Sequence, residues 1–382
     1  MKKEELAYEI EQLLIDAGHK VNKKVARAIT KALKRIEAGE ELYDVLEVSK
    51  LNKETQRILK EAAERAERMI DYEWENTVIE ENDSKALIAA GAVALALKLK
   101  PDAKEYSFET ADKVQSSKRT VEGVLTTALT NPGYVDLGPA LRRFEAPVVF
   151  YNRVVTDGIN DLRNGRRSYD AIVKKAVRDL TKSGLRYVNY ESGHINRIDV
   201  AVSRAILTEM SHIQGDIAME NAREIGTEYF EVDWHAGARP DHAKWQGKVY
   251  TMEELETVCG FGEVTGLKGA NCYHQIFPFI PGASKRNYTD EWLANQIIRE
   301  NTPISYGGRE YTTYEARQKQ RDMETAMRAQ REKISLLKGL NIEAKTDAAK
   351  YTAQRQNYER FSAAMGEKTH WDRVYRDGLG RV

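Results

Sequence analysis

The chain has 382 residues, 41% hydrophobic and 31% charged, with 59 basic side chains against 59 acidic ones. Zero net charge excludes a whole-molecule field that would drive it onto nucleic acid or membrane, so any such affinity must be local. Two cysteines exclude a disulfide framework and fit a reducing compartment, and the length suits two or three domains of a soluble helical protein.

The N-terminus, M-K-K-E-E-L-A-Y-E-I-E, is charged and lacks the apolar core of a secretory signal. Leu6, Ile10, Leu13 and Leu14 recur at helical spacing, which predicts two helices over 2–47 with breaks near Gly18-His19 and Gly39. An amphipathic helix follows over 52–82, with Ile58, Ala62, Ala66, Met69 and Ile70 on one face. The wholly apolar run A-L-I-A-A-G-A-V-A-L-A-L at 86–97 is shorter than the about 20 residues a bilayer span needs. It reads as a buried helix, with an oligomer contact or a segment that meets a membrane only transiently as the alternative, and not as stable membrane insertion.

Residues 107–130 read as a helix ended by Asn131-Pro132-Gly133, and 137–162 as helical, interrupted or started again at Pro147. Ser168 caps a helix over 169–182 that Ser183-Gly184 stops, and 196–225 is a long helix closed by Gly226. Then the period changes. Residues 229–234 alternate as a strand, 237–240 turn, and 249–251 form a second short strand. Thr251 opens a short helix over 252–258, with Glu254 as its capping-box partner. Gly260, Gly262, Gly266 and Gly269 read as a flexible connection, and 273–280 returns as a strand. Beyond it, Thr289 caps 290–300, a turn or small hairpin covers 304–311 with Gly307-Gly308, and long helices cover 312–338 and 344–365. The tail, 370–382, reads as a docking segment. The expected fold is mainly α with one small β-containing module, an α+β arrangement of long helices flanking a compact Cys/His corner. Its expected parts are an N-terminal helical region (1–140), a helical core (141–228), the β module (229–283) and a C-terminal helical region with its tail (284–382).

The module holds both cysteines and three of the seven histidines, so specific chemistry or specific architecture is to be sought there first. On the late helix, Arg317, Arg321, Arg328 and Arg331 fall within about 80° of one another at 3.6 residues per turn, opposite Ala316, Met323, Met327, Ile334 and Leu337. That stripe is either a solvated face with i,i+4 pairing or a contact for DNA phosphates or an acidic partner. The phosphate-binding P-loop, the dinucleotide fingerprint, H-E-x-x-H and G-x-S-x-G are all absent.

The order of N-G-R-R-S-Y-D-A-I-V-K-K-A-V-R-D-L, R-I-D-V-A-V-S-R-A-I-L-T-E-M, H-A-G-A-R-P-D-H-A-K-W-Q-G-K-V-Y, G-A-N-C-Y-H and F-P-F-I-P-G-A-S resembles the phage minor capsid protein 2 family. That family is akin to phage Mu-type head-morphogenesis proteins. The resemblance runs over about 144–331, whereas the first 140 residues share only their helical character. It implies a structural virion protein without catalytic residues, made in the host cytoplasm and placed inside the head near the portal. The implied partners are the portal protein, packaged double-stranded DNA, and the major capsid or scaffold protein.

Many relatives carry two cysteines in the arginine turn and a C-x-C pair at the later strand. Set against them, His242, Cys272 and His274 occupy three of four such positions, Arg239 stands at the other, and His235 is a candidate substitute for it. No cofactor is required by any motif, but a structural zinc on His242, Cys272, His274 and His235 is one reading of the corner. The other is a metal-free hydrogen-bonded corner, with Arg239, Asp241, Gly247 and Asn271 shaping its turns. Two further functions stay open: a DNA-binding accessory protein using the late basic helix, and a metal-dependent hydrolase at the Cys/His corner.

Overall fold

The computed structural model describes residues 2–38, 40, 45–90, 108–136, 143–164, 166–188 and 195–382. The fold is mainly helical, with small antiparallel sheets of two or three strands. The chain divides into two compact units, each assembled from three separate stretches.

One unit takes Ile10–Glu67, Val124–Val202 and Gln320–Val382. Helix α1 (Lys3–Glu37) supplies Ile10, Leu14, Val21, Val25, Ile29 and Leu33, all buried. Each such side chain contributes roughly 1.5–3 kcal/mol of burial, which is why a thirty-five-residue helix holds. The break expected at Gly18 does not occur. Gly18 lies inside α1, buried, and a methyl placed on it would meet Leu185 at an ordinary 3.8 Å. The continuous apolar stripe outweighs the ~1 kcal/mol that a mid-helix glycine costs.

Helix α2 (Val45–Ala90) carries the expected amphipathic face and enters the apolar run at 86–97. The burial expected of that run lies outside the described residues. Helix α3 (Phe108–Thr130) is followed by two short strands, β1 (Tyr134–Asp136) and β2 (Arg143–Glu145), paired as a hairpin. Of the helix expected over 137–162, residues 137–142 lie outside the described ones. Helix α4 (Pro147–Arg163) starts only at its proline, which lacks the N–H that a first turn leaves unbonded anyway.

Ser168 caps α5 (Tyr169–Ser183) by accepting from the Ala171 N–H, and Gly184, at φ 63°, ends it. The inner face of α5 buries Ile172, Val173, Ala176, Val177 and Leu180. A second unexpected hairpin joins β3 (Arg186–Val188) to β4 (Ile195–Arg197). Among the polar groups of this unit, Asn22 donates to Glu332 at 2.7 Å and accepts from the Tyr134 hydroxyl at 2.7 Å.

The other unit takes Met1–Glu9, Arg68–Gly123 and Ser203–Lys319. Helix α6 (Ile198–Ile225) ends at Gly226, whose φ of 73° suits a residue without Cβ. It leads into β5 (Tyr229–Val232), the central strand of a three-stranded antiparallel sheet between β6 (Val249–Thr251) and β7 (Ile276–Phe279). Thr251 and Glu254 form the expected capping box at the start of α7 (Met252–Thr257). The core of this module gathers Ala218 and Ala222 of α6 with Phe230, Val232, Trp245, Leu255, Leu267 and both cysteines. Thr289 caps α8 (Asp290–Asn301), and β8 (Ile304–Tyr306) turns through Gly307-Gly308 into β9 (Arg309–Tyr311). No helix among the described residues is long and apolar enough to cross a membrane.

Helices α9 (Thr313–Gly339), α10 (Lys345–Ala364) and the short α11 (Trp371–Tyr375) complete the chain. In the first unit, the tail after α10 packs on α9, with Val374 and Asp377 buried.

Candidate functional site: a buried Cys/His corner

The sheet register explains why the corner forms. Val232 at the end of β5 pairs with Ile276 at the start of β7. The segments that extend these strands therefore stay side by side, and Asp233 locks them. Its N–H donates to the Gln275 carbonyl at 3.0 Å, and its carboxylate accepts from the Gln275 N–H at 2.7 Å. That places Cys272 and His274 beside the turn that follows Asp233.

The turn is held by backbone and by left-handed residues. The Arg239 carbonyl accepts from His242 and Ala243, and the Asp241 carboxylate accepts from the His242 N–H at 3.1 Å. Gly247, at φ 77°, donates back to the Val232 carbonyl at 3.0 Å. A Cβ there would sit 2.5 Å from the Leu293 side chain. Asn271 takes φ 58° just before Cys272, a conformation asparagine tolerates better than most residues.

His242, Cys272 and His274 converge, all buried, with their ligating atoms within 4.8 Å of one another. His242 Nδ1 faces His274 Nδ1 at 3.4 Å, and the Cys272 Sγ lies 3.6 Å from His274 Nδ1. The outer ring nitrogens have partners of their own. His274 Nε2 is 2.8 Å from the Gln246 Oε1, and His242 Nε2 is 3.0 Å from the Thr265 carbonyl. The Arg239 guanidinium reaches the same Thr265 carbonyl and His242 Nε2, and pairs with Asp241 at 3.2 Å. Trp245 packs against both imidazoles, with ring centroids 4.6 and 4.8 Å away.

His235 is not part of this triangle. Its Nε2 is taken by the Asp233 carboxylate and the Tyr273 carbonyl, each at 3.1 Å. Its ring touches His274 edge-on, with centroids 5.0 Å apart.

Burial sets the electrostatics. It pushes His274 down to about 3 and lowers His242, so both rings are neutral near pH 7 and each keeps one bare nitrogen. It raises the Cys272 thiol and pushes Cys259 up to about 12. Neither sulfur is thereby activated as a nucleophile, since reactive cysteines have lowered values. His235 goes the other way: burial opposes its charge, but the Asp233 carboxylate outweighs that and raises it.

Three contributors escaped sequence reasoning. Gln246 ties His274 to the His235 N–H, Thr265 offers its carbonyl, and the 259–269 connection delivers that carbonyl. The glycines there were expected to confer flexibility, but they permit close packing. A Cβ on Gly266 would lie 1.9 Å from the Gly260 carbonyl oxygen, and one on Gly269 would lie 2.1 Å from that of Glu263. Four glycines within ten residues were the available signal, read for the wrong property.

The late arginines do not form an open stripe. Arg331 is buried, bonded through Nε and Nη2 to Asp377 at 2.6 and 2.9 Å. Arg328 is half-buried and donates to the Arg373 carbonyl at 2.8 Å, and Arg317 donates to the Ala236 carbonyl. Of the four, Arg321 is exposed. Helical period places them on one side of α9, but the tail covers Arg331, which takes it out of any solvent-facing stripe, and engages Arg328 through the Arg373 carbonyl.

The family model for phage minor capsid protein 2 matches residues 9–362. The match begins within α1, so the N-terminal helices belong to it as much as the Cys/His module does. No curated protein and no solved structure shows a significant match.

Proposed function

Starting from the premise that this chain belongs to the phage minor capsid protein 2 family, we propose that it acts as a non-catalytic structural component of the phage head. In this reading it sits inside the head near the portal vertex, contacts the portal protein, and serves head assembly and DNA packaging or delivery. The observation that carries the reading is the match across nearly the whole chain.

The geometry of the corner favours architecture over catalysis. Its histidines are neutral and already hydrogen-bonded, and its Cys272 thiol is pushed up, away from the thiolate form. What those groups do is tie the turn after β5 to the strand β7. The burial of Arg331 and the half-burial of Arg328 under the tail likewise weigh against DNA contact by these two.

The test is co-expression with the portal protein of the same phage, followed by size-exclusion chromatography and localisation of the chain in intact virions. Co-elution with portal rings and density at the portal vertex are the expected results. Absence of the chain from purified virions by mass spectrometry overturns the proposal.

A further inference from the structure

We propose that His242 Nδ1, His274 Nδ1 and Cys272 Sγ bind one zinc ion that locks the 239–247 turn to the strand leading into β7. The inference stands on the geometry of the corner and is independent of where the protein sits in the virion.

The distances carry it. Zinc bound tetrahedrally at about 2.0–2.1 Å from nitrogen and about 2.3 Å from sulfur holds two nitrogens about 3.3–3.4 Å apart, and nitrogen and sulfur about 3.5–3.6 Å apart. The two nitrogens here are 3.4 Å apart, and the sulfur is 3.6 Å from the His274 nitrogen. The third edge lies within 4.8 Å. Two edges of a zinc polyhedron are therefore already in place.

The outer shell agrees. The Gln246 Oε1 accepts from the His235 backbone N–H at 2.9 Å, so the side-chain oxygen is the atom facing His274. His274 Nε2 must then be the protonated nitrogen, which leaves Nδ1 bare. His242 Nε2 lies 3.0 Å from the Thr265 carbonyl, and the tautomer that donates to that carbonyl, with the Arg239 guanidinium turned to the carbonyl alone, leaves Nδ1 bare. In that tautomer of His242 both imidazoles turn lone pairs toward one point, an arrangement that repels unless a cation occupies it. A ligating histidine normally donates its other N–H to a carbonyl or carboxylate, as both do here.

Three protein ligands leave the fourth tetrahedral position to water or another exogenous donor. His235 is not that ligand while its Nε2 is engaged by Asp233 and Tyr273. Binding displaces the thiol proton of Cys272 to solvent and forms two Zn–N bonds and one Zn–S bond, with no change of oxidation state. The competing metal-free arrangement has His242 Nε2 accepting from Arg239 and His242 Nδ1–H donating to His274 Nδ1.

The experiment uses the full chain, purified without chelator and with any affinity tag removed. Metal content is measured by mass spectrometry, and zinc is then exchanged for cobalt(II). The proposal expects one zinc per chain, a near-ultraviolet thiolate-to-cobalt band, and intense visible bands of tetrahedral cobalt. Cys272→Ser should abolish the near-ultraviolet band, whereas Cys259→Ser, which alters the other buried sulfur, should keep it. Should Cys272→Ser fail to fold, chelation of the unaltered protein serves instead, with the melting temperature falling and returning on addition of zinc. Trace zinc with no cobalt spectrum overturns the proposal, as does a band that is lost with Cys259 and not with Cys272, or a melting temperature indifferent to chelator and zinc.

Discussion

Removing Asp377 is expected to release the C-terminal tail. Its carboxylate and the Arg331 guanidinium are 1% and 2% exposed, joined by two bonds of 2.6 and 2.9 Å. Arg331 also donates to the Gly380 carbonyl at 2.8 Å and lies 4.7 Å above the Tyr375 ring. An exposed pair of this kind is worth at most about 1 kcal/mol. Here Asp377→Ala leaves a buried cation without its counterion, which costs about 3–5 kcal/mol. The molecule can escape that cost by undocking the segment from about Trp371 onward and returning Arg331 to water. Undocking forfeits the burial of Val374 and the bond from Arg376 to Glu11 at 2.6 Å. The observed loss is whichever route costs less. Urea denaturation by circular dichroism, together with limited proteolysis between 366 and 382, measures both. The double variant Arg331→Met/Asp377→Leu should recover much of the loss, because no bare charge remains. If Asp377→Ala shifts stability by under about 1 kcal/mol and leaves the tail protected, the pair is not the anchor argued for here. A double variant as unstable as the single one would equally contradict the reasoning.

Gly18→Ala should stabilise by about 0.4–1 kcal/mol, because the methyl meets Leu185 at ordinary contact distance and the unfolded chain loses freedom; a lowered melting temperature would refute this. Gly266→Ala should destabilise by about 1–3 kcal/mol or more, since its Cβ collides with backbone at Gly260; an unchanged melting temperature would show that the connection yields. Glu332 is buried beside Asn22 and His19, and burial raises its carboxyl above the usual value despite His19 and Asn22 pulling the other way. A raised folded value means stability is full below the ordinary glutamate pKa of about 4.3 and is lost as pH rises through the folded value. Glu332→Gln should therefore gain on the unaltered protein between acid and neutral pH, and urea midpoints whose difference stays flat or grows toward acid would contradict it.

What could be read in the sequence was what is encoded locally. Ser168, Thr251 and Thr289 mark helix starts because a hydroxyl reaches an N–H three residues on. The strands β5 and β7 showed through their alternation and the change of period before them. The hairpins β1–β2 and β3–β4 did not, because three-residue strands have no measurable period and gain their stability from a partner elsewhere. Period also misled on α9. It grouped the arginines correctly on one side, but the side belongs to whatever covers it, and Asp377 lies 46 residues away. The Cys/His corner was legible as residue types, which brought His242, Cys272 and His274 forward together. His235 stood apart as a candidate substitute, but its commitment to Asp233 and Tyr273 depends on the register of two strands and has no sequence signal. The Thr265 carbonyl was invisible for a similar reason: a backbone group has no letter of its own.

The pairing of Arg331 with Asp377 has a bearing on biosynthesis. Helix α9 leaves the ribosome with a cation on a surface destined for burial, and its counterion follows dozens of residues later. The Glu11 carboxylate waits longer still, since its partner Arg376 is 365 residues downstream. Until Arg376 and Asp377 are synthesised, this unit cannot close over Glu11 and Arg331. A chain released early would display an unpaired arginine and the apolar seat of Val374 to chaperones and proteases.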